Sequence, residues 1–191
     1  MKKMLLFTVV SLLFGLAVNA QQVEVGADNS FTAPIKDYKT YAWSKQIDQI
    51  PHDAVFVGPN GVLVFNNEST RSKIKNAIQF ELSAKGYKQT SANPDMIVLF
   101  RVLEQPTTLT TYNGYQMYDN GLDSTRTPAN VQHTQVDAGT LLINIVDAKT
   151  SKVAWQGYAS GILKPDMVND QAKIRQAVAS IFNQFKYTAV K

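Results

Sequence analysis

Hydrophobic positions along this chain recur with two different periods, and each change of period marks an element. Tyr38-Lys-Thr-Tyr-Ala-Trp43 alternates large rings with small or polar residues, the two-residue period of a first strand. Ala54 to Val57 and Val62 to Phe65 flank Gly58-Pro-Asn-Gly61 and predict a hairpin, with Pro51 and Pro59 suited to strand ends or edges. From Glu68 the period lengthens. Ile74, Ala77, Ile78 and Leu82 predict a helix over 69–85, capped by Ser69 or Thr70 and closed by Gly86, with Tyr87 as the apolar contact at its end. Met96 to Leu103 is apolar on both alternations over its first half, the pattern of a central strand partly covered on both faces. Pro106 ends it, and Thr107 to Tyr112 is β-branched enough to return as its neighbour. Gly114 to Gln135 has no period and reads as a long loop or a frayed strand end.

The most regular stretch is GTLLINIVDAKTSKVAWQGYASG at 139–161. Leu141, Ile143 and Ile145 share one face, and beyond the polar DAKTSK break Val153 and Trp155 share another, which predicts an antiparallel hairpin. Asn169 or Asp170 caps a last helix whose Ile174, Ala177, Val178, Ile181, Phe182 and Phe185 keep helical spacing throughout. The order β-(ββ)-α-β-β-β-β-α predicts an α+β, two-layer sandwich: an antiparallel sheet of about four to six strands with both helices on one face.

The first residues change the picture of where this domain works. Lys2 and Lys3 precede an apolar run from Met4 to Val18, with small residues at Val18 and Ala20: a secretory signal peptide over 1–20, cut between Ala20 and Gln21. A flexible lead-in then covers 21–30, and a single domain covers 31–191. Loss of the leader turns 19 Lys+Arg against 15 Asp+Glu into 17 against 15, a net charge of +2. With no Lys/Arg block remaining, nucleic acid is not an expected partner. The chain has no cysteine, which excludes disulfides, thiolate metal ligands and cysteine nucleophiles, and also a lipid-attachment cysteine after the leader. The expected location is the periplasm or the exterior, at the outer membrane only through partners.

Candidate chemistry is sparse. Asp147 opens a turn in which Lys149, Thr150 and Ser151 follow, so turn-forming hydrogen bonds account for it, and Asp95 beside Asn93-Pro94 reads the same way. His52 and His133 stand in separate irregular segments without metal-ligand spacing. Asp137, four residues after His133, adds a second ligand type where three or four ligands are needed. No cofactor or metal site is expected. There is no G-x-S-x-G elbow, and Gly58-Pro-Asn-Gly61 lacks the Lys-Ser/Thr of a phosphate loop. Tyr112, Tyr115, Met117 and Tyr118 are the candidate binding residues, aromatic or soft side chains on a polar segment that can anchor a partner or fold back over the open face of the sheet.

Phe31 followed by YKTYAW at 38–43, IKNAIQFELSAKGY at 74–87, PDMIVLF at 94–100, the 139–161 stretch and AVASIFNQF at 177–185 together resemble, in this order, the bacterial envelope family known as domain of unknown function 4136. The resemblance implies a secreted or lipid-anchored envelope protein, and it brings no established catalytic residues. This chain lacks the anchoring cysteine of the lipoprotein members, and its 54–65 insertion sits where the family is expected to vary. The leading expectation is a non-enzymatic module that engages an envelope protein or cell-wall component through the sheet face and the 112–118 segment. The alternative is a hydrolase or small-ligand binder with a pocket between the 54–65 insertion and the sheet.

Overall fold

The computed structural model describes residues 23–28, 34–45, 56–58, 61–63, 68–103, 105–112, 115–119, 124–128, 131–164, 167 and 170–189, with the backbone alone at 56–58, 61–63, 110–112, 115–119, 124–128 and 131–132. The expected cleavage site at Ala20 and Gln21 lies outside these residues, as does His52. In chain order the elements are β1 (Val25–Asp28), β2 (Thr40–Trp43), β3 (Phe56–Gly58), β4 (Gly61–Leu63), α1 (Glu68–Ala84), β5 (Lys88–Gln89), β6 (Met96–Leu103), β7 (Thr107–Tyr112), β8 (Tyr115–Asp119), β9 (Ser124–Pro128), β10 (Val131–Val136), β11 (Thr140–Asp147), β12 (Val153–Ala159) and α2 (Gln171–Phe182). A six-stranded sheet runs in the order β1-β12-β11-β6-β2-β5.

Both helices lie on one face of this sheet, as the apolar periods predict. Ile74, Ile78 and Leu82 of α1 and Ile174, Val178, Ile181 and Phe182 of α2 join Tyr41, Met96, Val98, Phe100, Leu141, Ile143, Ile145 and Trp155 in one buried cluster. Burying these side chains is the main stabilising contribution, on the order of 2 kcal/mol for each large apolar group. Each helix also stops or starts on a local signal. Gly86 takes φ +87°, its N–H donates to the Ser83 carbonyl at 3.0 Å, and the Tyr87 N–H donates to the Leu82 carbonyl at 3.0 Å. That is a Schellman closure, sealed by the buried Tyr87 and Leu82 side chains. Asp170 caps α2, its carboxylate accepting from the Ala172 and Lys173 N–H groups.

Besides a register shift in the β11–β12 ladder, which sets Trp155 opposite Ile145 but Val153 opposite Val146 and so parts two residues that the sequence puts on one face, the structure departs from the sequence reading at three places. Val25–Asp28, within the expected lead-in, is the edge strand β1, paired antiparallel with β12 from Val25↔Ala159 to Asp28↔Gln156. Gly26 in that strand signals a close approach and not a hinge: a Cβ there would collide with the Tyr158 ring. The sheet is mixed and not wholly antiparallel, since β2 runs parallel to both β6 and β5. α1 lies in the connection from β2 to β6, so the chain crosses over and re-enters in the same direction.

The third departure is the largest. Gly114 to Gln135, read as loop or frayed end, holds the strands β8, β9 and most of β10. β7 pairs with β10 rather than returning beside β6, and β8 pairs with β9. These ladders continue the pairing of β6 with β11 in one unbroken register, from Met96↔Asp147 and Leu103↔Thr140, through Thr107↔Val136 and Tyr112↔Val131, to Tyr115↔Pro128 and Asp119↔Ser124. Three residues separate β6 from β7 and three separate β10 from β11; two separate β7 from β8 and two separate β9 from β10. The six strands β6 to β11 therefore share the constant register of one long hairpin, with β6 and β11 in the sheet and β7 to β10 as a two-stranded arm. The arm escapes a period search because TTLTTY and VQHTQV carry polar residues on both alternations.

Candidate functional site

At the base of the arm, the side chains that meet the sheet are few and specific. Val136 of β10 packs with Leu142 and Tyr158 on the sheet face away from the helices, and Leu103 and Leu109 join them. The Tyr158 hydroxyl shares hydrogen bonds with Thr134 of the arm and with Glu24, and burial raises its pKa. Leu109 and Val136 thus supply the cover that the open face requires where the arm leaves the sheet. Further out, Gln135 Nε2 donates to Thr108 Oγ1 at 2.7 Å across the ladder. Tyr112 closes β7 opposite Val131; Tyr115, Met117 and Tyr118 fall in β8 opposite Pro128, Arg126 and Thr125. The side chains of these four candidate residues lie outside the described part of the structure, as do those of the 54–65 insertion and hence the expected pocket beside it.

At the opposite end of β6, two aspartates fasten the sheet. Asp147 is buried. Its Oδ1 accepts from the Lys149 N–H at 2.9 Å, the Thr150 N–H at 2.7 Å and the Thr150 hydroxyl at 2.9 Å, while Oδ2 accepts from the Tyr38 hydroxyl. The Tyr38 bond is the largest influence holding its carboxyl below the usual range. Burial, reinforced by Asp147, pushes Tyr38 upward. Asp95 is arranged in the same way. Its Oδ2 accepts from the Lys39 N–H, the Thr40 N–H and the Thr40 hydroxyl, each at 2.9 Å. Burial pulls Asp95 upward, but these donors outweigh it and the net shift is down.

These geometries decide what the two acids do. A general base or nucleophile needs an accessible lone pair and a pKa near the working pH. Asp147 has its oxygens occupied by fixed donors and a lowered pKa, and Tyr38 is driven away from the phenolate. They staple the start of β2 to the β11 turn, and Asp95 joins the same corner, where its carbonyl accepts from the Ala148 N–H at 3.0 Å. His133 is exposed on β10 opposite Thr110, and Asp137 lies beyond the end of that strand. Among the described residues, no group of three or more His, Cys, Asp or Glu side chains could hold a metal ion. No helix among them is long and apolar enough to cross a membrane.

Trp155, the other conspicuous residue of the hairpin, is fully buried, with its ring 5.0 Å from Phe185 and 5.9 Å from Phe182. The ring crosses Gly157, where a Cβ would overlap it. The W-x-G spacing is therefore a packing device: two residues apart on one strand share a face, and the glycine makes room for the indole.

Comparison with known proteins places this architecture. A crystal structure of a DUF4136 family protein from Bacteroides thetaiotaomicron is similar at TM-score 0.52 and 15% identity, covering 88% of this chain and 98% of that one. A PDZ domain protein from Parabacteroides distasonis matches at TM-score 0.44 and 17% identity over 88% of this chain and 37% of that chain. A PelC dodecamer from Paraburkholderia phytofirmans matches at TM-score 0.44 and 9% identity over 88% of this chain and 99% of that chain. A comparison with curated proteins returns no match. The family model described as "Domain of unknown function (DUF4136)" matches residues 23–185, a span that opens just before β1 and takes in the sheet, the arm and both helices, and the chain belongs to that family.

Proposed function

We propose that the protein is an exported, non-enzymatic envelope module that engages a protein or cell-wall partner through the arm formed by β7 to β10. The observation that carries this reading is the continuous register, which makes 107–136 a built extension of the central hairpin. A two-stranded ribbon is marginally stable in water by itself, so an extension of this length is a feature to be completed by a partner. Tyr112, Tyr115, Met117 and Tyr118 lie on its backbone opposite Val131, Pro128, Arg126 and Thr125 and supply aromatic contact area of the kind that interface cores use. The occupied oxygens of Asp147 and Asp95 support a structural part for the acids that the sequence brings forward.

The constant register also defines the test. Residues 113–130 can be replaced by Asn-Gly, which closes a two-residue turn between the paired Tyr112 and Val131 without shifting any ladder below them. The shortened chain is expected to melt within a few degrees of the parent, because the Leu109, Val136 and Tyr158 contacts stay, and to lose retention on envelope material. Full retention by the shortened chain would overturn the reading.

A further inference from the structure

The fold gathers lysines that the sequence keeps apart. Lys88 of β5 pairs beside β2, its N–H donating to the Lys39 carbonyl at 3.0 Å, and Lys36 lies one short 3-10 turn before it. Asp95, at the start of β6, binds the Lys39 N–H on one side, and on the other its carbonyl meets Ala148 in the β11–β12 turn that carries Lys149 and Lys152. The segment after α2 comes to the same end, where the Ala189 N–H donates to the Lys85 carbonyl and Lys85 Nζ donates to the Phe185 carbonyl, each at 2.9 Å. It carries Lys186. Lys36, Lys39, Lys88, Lys149, Lys152 and Lys186 are all exposed.

The lysines outnumber the acids at this end: Asp147 and Asp95, which keep their charge while backbone and hydroxyl donors hold them, Asp37, which is exposed, and Glu81, which is half-buried. The row runs across five strands from β12 to β5, about 20 Å at roughly 4.8 Å per strand. Flexible lysines spread over that distance suit a diffuse anionic surface better than one small anion.

We propose that this lysine-lined end of the sheet docks on the anionic headgroups of a phospholipid bilayer. The inference does not depend on the arm, which leaves the sheet from the other end of β6.

The test is co-sedimentation of a chain beginning at Gln21, which keeps the whole described fold, with phosphatidylcholine vesicles containing or lacking phosphatidylglycerol. Binding is expected only to the anionic vesicles, falling steeply as salt rises. Inorganic phosphate should compete no better than its ionic strength. The triple change Lys39→Ser, Lys88→Ser and Lys149→Ser is expected to weaken binding by roughly a hundredfold. Arg101→Ser, Lys164→Ser and Lys173→Ser, equal in charge but towards the other end, should leave it within about threefold. Equal losses in the two triples, or no preference for anionic vesicles, would overturn the proposal. Salt-sensitive self-association abolished by the first triple would overturn it too, because the row would then face a second copy, whose arm segment carries Glu104, Asp119, Asp123 and Asp137 against Arg126.

Discussion

Single residues in this protein are best understood by what their neighbours leave open to them. Trp155 has no exposed surface and touches two phenylalanines, so Trp155→Ala should cost about 3–5 kcal/mol, measured by denaturant unfolding. A loss of partner binding with unchanged stability would contradict its role as a packing residue. Asp147 and Asp95 make a prediction about pH. Both have folded pKa values below the ordinary value of 3.8, so the stability they contribute is present above that value and is lost as pH falls through the lower folded values. Tyr38 and Tyr87 act in the opposite sense. Burial raises both, Tyr87 to about 12, so their contribution is present below the ordinary value of 10.0 and is lost as pH rises above it. Melting temperature should therefore hold a plateau between about pH 4 and pH 10 and fall on both sides. Asp147→Asn should flatten the acid limb, and an unchanged acid limb in that variant would show that Asp147 is not among the groups responsible.

Elements differed in how much of themselves they showed in the sequence, and the difference follows from how each is stabilised. α1 and α2 were legible because their buried residues fall at helical spacing and their ends carry Gly86 and Asp170. The β11–β12 hairpin was legible because one of its faces is buried against the helices. β1 was hidden by its shortness and by Gly26, whose role is set by Tyr158 more than a hundred residues away. The arm was hidden because neither of its faces is uniformly apolar; its register is carried over from β6 and β11, which no local window contains. For the candidate site, sequence reading names Tyr112, Tyr115, Met117 and Tyr118 but not the strands on which they lie, nor Leu109, Val136 and Tyr158 at the base. A cross-strand cysteine pair tests the arm as an element. Thr108→Cys with Gln135→Cys joins positions whose side chains already touch, so a disulfide should form on mild oxidation without loss of fold. Thr108→Cys with Thr134→Cys places the thiols on opposite faces of the ribbon and should not close. Efficient closure of the second pair and not the first would mean that the ladder has slipped by one residue.

At the scale of the whole molecule, the central hairpin divides the labour. Its inner third is the middle of a helix-covered sheet, fastened at one end by Asp95, Asp147 and Tyr38, and its outer part leaves the other end as the arm. Stability belongs to the first part and, in the reading advanced above, recognition to the second. The most direct test of that division is the triple variant Tyr112→Ser, Tyr115→Ser and Tyr118→Ser, compared with wild type for melting temperature and for retention on envelope material. The account predicts an unchanged melting temperature with retention lost. A large fall in melting temperature would contradict it, since the tyrosines would then belong to the core, and so would retention equal to that of the parent chain.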